Sequence, residues 1–314
     1  MNADRHRFEN SGGARLPSSR MFIRALFLVL TAFWLQAFAS SAATFPGNAR
    51  LAVADSTGGL SWNAGNRALT VACWLKISIP SGTNLNENMI VLMNRQDGDD
   101  NSPSAYQIRF NISTGDIEFV TRGSSEEYVK TLIRRPYLER WYHVAVKRSG
   151  NLVTGLVDGR EVFLDGLSVG DGVASQNGIS IGGGNNNKYF FGEIQEVAIY
   201  QETVPSSSIR DRIFIDLPVA SLPSLKGYFK LAFTTNISER YKNFAQNPPS
   251  GTDQAAPQGG GAVTFEETDR SGEQSTFDSS KNKGVPAAVA KSELEGDARR
   301  GTSQGGLFPR EGAG

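Results

Sequence analysis

Between Leu69 and Tyr200 the chain repeats one pattern: a short run of apolar, β-branched or aromatic residues, then a cluster of Gly, Asn, Asp or Ser. Such runs are too short for stable helices but suit strands. Residues 105–111 show the period. Tyr106, Ile108 and Phe110 fall on one side and Gln107 and Arg109 on the other, as in a strand with one face buried. Asp158-Gly159 separates 155–157 from 160–163, and Ser149-Gly150-Asn151 separates 144–147 from 152–154. An Asp-Gly pair between alternating runs is a strong hairpin signal. Further strands are expected at 69–77, 88–93, 117–121, 128–133, 141–148, 179–182, 190–200 and 225–233, with one short helix over 205–214. Many short strands at even spacing bury their apolar faces in a two-sheet sandwich or a barrel.

The flanks read differently. Residues 25–39, ALFLVLTAFWLQAFA, follow Arg20 and Arg24 and end in small residues. A basic start, a short apolar stretch and an A-x-A-like site describe a secretory signal peptide. The run is shorter than the roughly 20 residues that span a bilayer. Cleavage after Ala39 and after Ala43 fits equally, Met21 is a second candidate start, and a retained N-terminal membrane anchor is the alternative. Beyond about Ala245, Pro, Gly, Ser, Gln and charged residues dominate, which predicts disorder, and Gly259-Gly260-Gly261 reads as a flexible linker. The expected organisation is a signal peptide and extension over 1–43, a sandwich over 44–233, and a linker with a largely disordered tail over 234–314. The chain would be secreted or held at the cell surface, touching membrane only through the signal segment.

With 32 basic and 32 acidic residues the chain has no net charge, which argues against a nucleic-acid partner. Cys73 is the only cysteine, so no intrachain disulfide forms. It lies in an apolar run and reads as a buried small hydrophobe. His143 is the one histidine beyond the signal, too few for a multi-histidine metal site, and it reads as a packed strand residue.

The ordered series Ala68–Leu75, Trp141–Val146, Gly155–Arg160, Ile179–Gly182 and Phe191–Tyr200 resembles the laminin G-like (LamG) jelly-roll family of the concanavalin A-like lectin/glucanase superfamily. The resemblance covers roughly residues 44–233. It implies an all-β, two-sheet antiparallel jelly roll of a dozen or so strands that binds glycans, proteins or lipids, in some members with calcium. Trp74 and Trp141 are expected as large core anchors on facing sheets. The implied function is an exported, non-catalytic module for carbohydrate or an extracellular protein, with calcium as a candidate aid. The alternatives are a structural or adhesion spacer of a larger surface assembly and a degenerate glycoside hydrolase.

The hydrolase reading meets an obstacle in the sequence. Glu193-Ile194-Gln195-Glu196 spaces its carboxylates three apart, which sets them on opposite faces of a regular strand unless a bulge shifts the phase, and a retaining glycosidase needs them converging. Ser/His/Asp chemistry has one available histidine, and the G-x-S-x-G matches at 166–170 and 301–305 are each followed by Gly-rich sequence rather than the helix that a serine nucleophile elbow needs. Two loops carry binding chemistry. Asp97, Asp99, Asp100 and Asn101 concentrate hard oxygen ligands suited to calcium, though the spacing is not that of an EF-hand. Asn185, Asn186, Asn187 and Tyr189 combine amides for sugar hydroxyls with an aromatic face, in a segment equally suited to a plain turn. Tyr106, Tyr128 and Tyr137 are further candidate stacking residues.

Overall fold

The computed structural model describes residues 39–61, 68–95, 99, 102–123, 126–167, 178–215 and 217–269. They form two antiparallel sheets packed face to face. In spatial order the first contains β10 (Arg160–Gly166), β9 (Leu152–Val157), β8 (Trp141–Ser149), β3 (Leu69–Ile77), β12 (Phe191–Tyr200), β1 (Ala39–Pro46) and β15 (Thr264–Asp269), with β13 (Leu225–Phe229) also pairing β12. The second contains β14 (Ala256–Gly259), β2 (Ala49–Val53), β11 (Ile179–Ile181), β4 (Met89–Met93), β5 (Ser104–Asn111), β6 (Asp116–Arg122) and β7 (Glu127–Ile133). Helix α1 (Ser206–Arg212), a 3-10 turn (Val219–Ser221) and α2 (Ile237–Arg240) complete the described elements. None of the described helices is long and apolar enough to cross a membrane.

Period two decides what enters the inter-sheet core. Val71, Cys73 and Leu75 from β3 meet Tyr106, Ile108 and Phe110 from β5 there. Cys73 is fully buried, and desolvation pushes its thiol pKa up to about 12, which keeps it protonated and inert. The Asp158-Gly159 turn forms as expected between β9 and β10. Both residues have positive φ, 48° and 73°, the backbone of a type I′ hairpin.

The tryptophans lie elsewhere than expected. Trp74 and Trp141 sit on neighbouring strands of one sheet, where Trp74 is opposite His143 and Lys76 opposite Trp141. They share a cluster on its outer face with Ala42 and Ile213. Alternation places Trp74 opposite in phase to Cys73, so when Cys73 points inward Trp74 points out. The outer face needs its own cover, and the chain after β12 supplies it. Ile209, Leu222 and Tyr228 pack with Ala72, Leu156 and Tyr200, and Trp74 Nε1 donates to the Ile213 carbonyl at 3.1 Å. The molecule thus has a third layer over its first sheet.

Both expected domain edges are corrected. Residues 40–43 belong to β1, with Ala42 and Ala43 fully buried. The sandwich also continues well past 233. Asn243 is buried and bonds four ways: its Oδ1 accepts from Tyr228 N (2.8 Å) and Ala245 N (3.1 Å), while its Nδ2 donates to Lys226 O (3.0 Å) and Thr252 Oγ1 (3.5 Å). Strands β14 and β15 then close the two sheets. Composition hid this because β14 is an edge strand, APQG, held by backbone pairing to β2 with mostly exposed side chains. Nor is the triglycine a linker. The N–H groups of Gly260 and Gly261 both donate to Asn48 O, and a Cβ on Gly261 would stand 1.8 Å from Asn48 Oδ1. Glycine is required at Gly259, where φ is 106° and a Cβ would stand 2.5 Å from the Asn48 carbonyl oxygen. The tail beyond Asp269 lies outside the described residues.

Candidate functional site

The Glu193–Glu196 stretch is not a regular strand. Gln195 pairs Trp74 and Ala198 pairs Ala72, leaving an extra residue on β12. The bulge holds Glu196 at φ 53°, with its N–H donating to Lys230 O at 3.1 Å. Glu196 therefore joins Ala198 and Tyr200 on the outer face, correcting the opposite-face expectation. This does not make a cleft. Glu193 forms an ion pair with Lys76, and Glu196, His143, Arg212 and Tyr228 line a void of only about 30 Å³, enough for about one water. The third layer fills the space a sugar ring would need. His143 stacks edge-on against Trp74 with centroids 5.3 Å apart, and its backbone N–H donates to Asp158 Oδ1 at 2.9 Å.

The asparagine loop is a tight turn. Asn186 and Asn187 have φ of 56° and 62°, and Lys188 N donates to Asn185 O at 3.2 Å. Two consecutive left-handed residues select Asn for its backbone tolerance. The Asn185 amide oxygen accepts from Arg50 Nη1 (3.3 Å), and Arg50 also donates to Gln258 Oε1 at 3.0 Å. Tyr189 is half-buried against Gly183. Asn186 and Asn187 are exposed, while Asn185 and Tyr189 are half-buried. Of the acidic loop, Asp97, Asp100 and Asn101 lie outside the described residues. Asp99 is described and accepts a hydrogen bond from Ser102 Oγ. Among the described residues no three His, Cys, Asp or Glu side chains converge as a metal site.

The outer face of the second sheet is polar and largely self-satisfied. Arg109 Nε bonds Glu118 (2.9 Å), Arg109 Nη1 bonds Glu127 (3.1 Å), and Asn111 Nδ2 bonds Glu118 (3.0 Å). Gln107 is fully buried, and among the described residues neither of its amide atoms has a hydrogen-bond partner.

An open cleft of ligand size lies in the segment expected to be disordered. About 580 Å³ is lined by Lys242, Asn243, Ala245, Pro248, Gly251, Asp253 and Gln254, within the usual range for small-ligand sites. The loop that forms it is tied at both ends: Asn243 N donates to Asp253 O (2.8 Å), Ala255 N to Tyr241 O (2.8 Å), and Thr252 Oγ1 to Pro249 O (2.7 Å). Asn243 spends its amide on the fold. Lys242 and Asp253 are exposed, and Gln254 uses only its Nε2, on Ser238 O (3.2 Å). The walls therefore offer an ammonium donor, a carboxylate and an amide oxygen. Sequence reasoning did not point to this cleft. The only local signal was Tyr241 and Phe244, two aromatic residues at the edge of an otherwise polar stretch.

A family model for the concanavalin A-like lectin/glucanases superfamily matches residues 46–210. No curated protein matches the chain. Among solved structures, the fold is similar to that of a candidate carbohydrate binding protein from Bacteroides ovatus, with 15% identity over 74% of this chain and a TM-score of 0.51. The match spans 60% of that protein's length. Domain 4 of AbnA, a GH43 extracellular arabinanase from Geobacillus stearothermophilus solved with arabinotriose, is 20% identical over 54% of this chain and 75% of its own, at a TM-score of 0.44. A heptameric SAP-like pentraxin from Limulus polyphemus is 15% identical over 73% of this chain and 96% of its own, also at 0.44. At these identities the likeness is one of fold.

Proposed function

This chain belongs to the concanavalin A-like lectin/glucanases superfamily, and from that premise we propose that it is an exported module that binds glycan without transforming it. The observation that carries this reading is the cleft at Lys242–Gln254. It sets a carboxylate, an ammonium and an amide oxygen around an open volume, the donors and acceptors that pairs of sugar hydroxyls require. Among the described residues Asp253 is the only carboxylate in its lining, whereas hydrolysis needs two across the bond. The Bacteroides ovatus protein of similar fold, itself a candidate carbohydrate binder, supports the class of ligand.

Screening the purified full chain on a glycan array, with and without calcium, tests the reading. We expect binding to a defined set of glycans with no release of reducing ends. Asp253→Ala combined with Gln254→Ala should weaken it at least about tenfold, the effect of losing one or two hydrogen bonds to a bound ligand. Asn186→Gly with Asn187→Gly keeps the left-handed turn while removing both exposed amides, and should leave binding unchanged. Loss of binding there would move the site to the asparagine turn, and silence across the array would overturn the proposal.

The N-terminal segment supports export, and β1 favours cleavage after Ala39 over cleavage after Ala43. Cutting after Ala43 would remove Ala42 and Ala43 from the core and Ser41 Oγ from its bond with Phe233 N (2.6 Å). Cutting after Ala39 spares all three. Mass spectrometry of the exported protein should find Ser40 as the first residue; a mature chain starting at Thr44 would contradict this.

A further inference from the structure

The loop between β7 and β8 lies outside the cleft. It reads Arg134-Arg135-Pro136-Tyr137-Leu138-Glu139-Arg140. All of it is exposed except the half-buried Pro136, and Tyr137 and Leu138 are 49% and 47% exposed. Neither residue belongs to a core cluster of the described residues. The backbone, by contrast, is held firmly. Arg135 N–H donates to Asp116 Oδ1 (3.1 Å), Tyr137 N–H to Tyr142 Oη (2.9 Å) and Glu139 N–H to Ile77 O (2.9 Å). Arg135 and Glu139 take φ of 46° and 63°, the left-handed region that side chains disfavour. The surrounding bonds hold this conformation on either side of the tip. Among the described residues none of Arg134, Arg135 and Arg140 has a carboxylate within ion-pair distance. Arg109 and Arg122, on the second sheet, do bond Glu118 and Glu127. The two acids built into the loop's frame are turned to other groups: Asp116 to the Arg135 N–H, and Glu139 to the Ser78 hydroxyl at 2.8 Å. Arg140 lies 5.0 Å from the centroid of Tyr142, which orients its guanidinium without neutralising it.

We propose that this loop docks on the surface of an anionic lipid bilayer. The arginine forks offer paired donors to phosphate oxygens. Between them, Leu138 enters the boundary of headgroups and acyl chains, and Tyr137 sits at that depth with its ring covered and its hydroxyl in water. Long arginine stems reach from the tip to the phosphates. The size of the loop selects this partner over a protein. A stable protein interface takes roughly 20–30 residues on each side, whereas a bilayer accepts a single exposed tip. A polysaccharide has no apolar layer to receive Leu138. The preset backbone lowers the entropy lost on docking. The chain thereby gains a membrane contact besides its signal segment, one that remains after cleavage and is independent of the glycan reading of the cleft.

The test is cosedimentation of the full exported chain with two kinds of vesicle, phosphatidylcholine alone and phosphatidylcholine with phosphatidylglycerol in equal parts, alongside binding to dextran sulfate in solution. The mixed vesicles should bind at least about tenfold more tightly, since each arginine near an anionic surface adds to the attraction. Binding should weaken as salt rises from about 50 to about 300 mM, as screening shortens the reach of exposed charges. Arg134→Gln with Arg135→Asn removes two charges and places Asn where the backbone is left-handed, which it tolerates. This variant should lose at least about tenfold in affinity. Leu138→Ser should lose about fivefold, the effect of covering part of one leucine. Lys226→Gln with Arg160→Gln, an equal loss of charge on β13 and β10, should leave the preference unchanged. All variants share one N-terminus, so any contribution from it cancels, and an unchanged thermal midpoint shows that each folds. Equal binding to both vesicles, or binding to neither, overturns the inference. So does a preference that survives loss of both arginines, or one lost equally in the Lys226 and Arg160 variant, since it would then reflect overall charge. Unaltered binding of Leu138→Ser overturns insertion of the tip. Arginine-dependent binding to dextran sulfate without binding to vesicles assigns the loop to a soluble polyanion and overturns the inference as well.

Discussion

Truncated after Phe233, the chain is expected to lose cooperative thermal unfolding altogether. The cut follows the domain edge that composition suggests, yet it removes β14 and β15 from the two sheets and Asn243 from the backbone of β13. Val263 and Phe265 leave the inter-sheet core, where Phe265 packs edge-on against Tyr241 at 5.3 Å. Loss of Asn243 alone would strand the buried N–H of Tyr228 at a cost of about 1–3 kcal/mol. Adding two missing strands exceeds the 5–15 kcal/mol that holds a typical domain together. Truncation after Asp269 keeps every described strand and should preserve a single sharp transition. Melts followed by near-ultraviolet circular dichroism compare the two, and a Phe233-terminated chain with an unaltered midpoint would refute the extended boundary.

The second large effect concerns the outer layer. Trp74→Ala should destabilise the protein by about 3–5 kcal/mol, the range for emptying a buried aromatic site. Trp74 is 2% exposed, touches His143 edge-on and Phe214 at 5.4 Å, and its indole N–H satisfies the Ile213 carbonyl. Trp141→Ala should be costly too, and the two substitutions should be non-additive because they border one cluster. Urea unfolding at constant slope reads the loss directly. A change under about 1 kcal/mol would mean the segment after α1 does not pack against the sheet as described.

These two results mark where sequence reasoning succeeded and where it stopped. Strand β3 spans Leu69–Ile77, as its apolar run implies, and the alternation at Tyr106–Phe110 sorted core from surface correctly. Both depend on neighbours along one strand, where the geometry is local. The tryptophans were assigned to the right strands and the wrong layer. Period two says that Trp74 opposes Cys73, but which side faces the second sheet depends on strands far away in the chain. The Glu196 bulge had a faint trace in the apolar positions of 194, 197 and 199, and only the pairing with β3 settled it. The proposed cleft was the least legible part, because it lies in a polar stretch held by backbone bonds and one buried amide.

What the sequence determined by itself was the all-β class, the order of the strands and the inward face of Ser104–Asn111. These follow from side-chain alternation and turn chemistry, which act over a few residues. Only the tertiary structure decided the domain's ends, the third layer over the first sheet and the cleft at Lys242–Gln254. Each of these depends on contacts between distant segments, some more than 200 residues apart, such as Asn48 with Gly260. Backbone groups are the same in every residue, so pairing of that kind leaves little mark in composition.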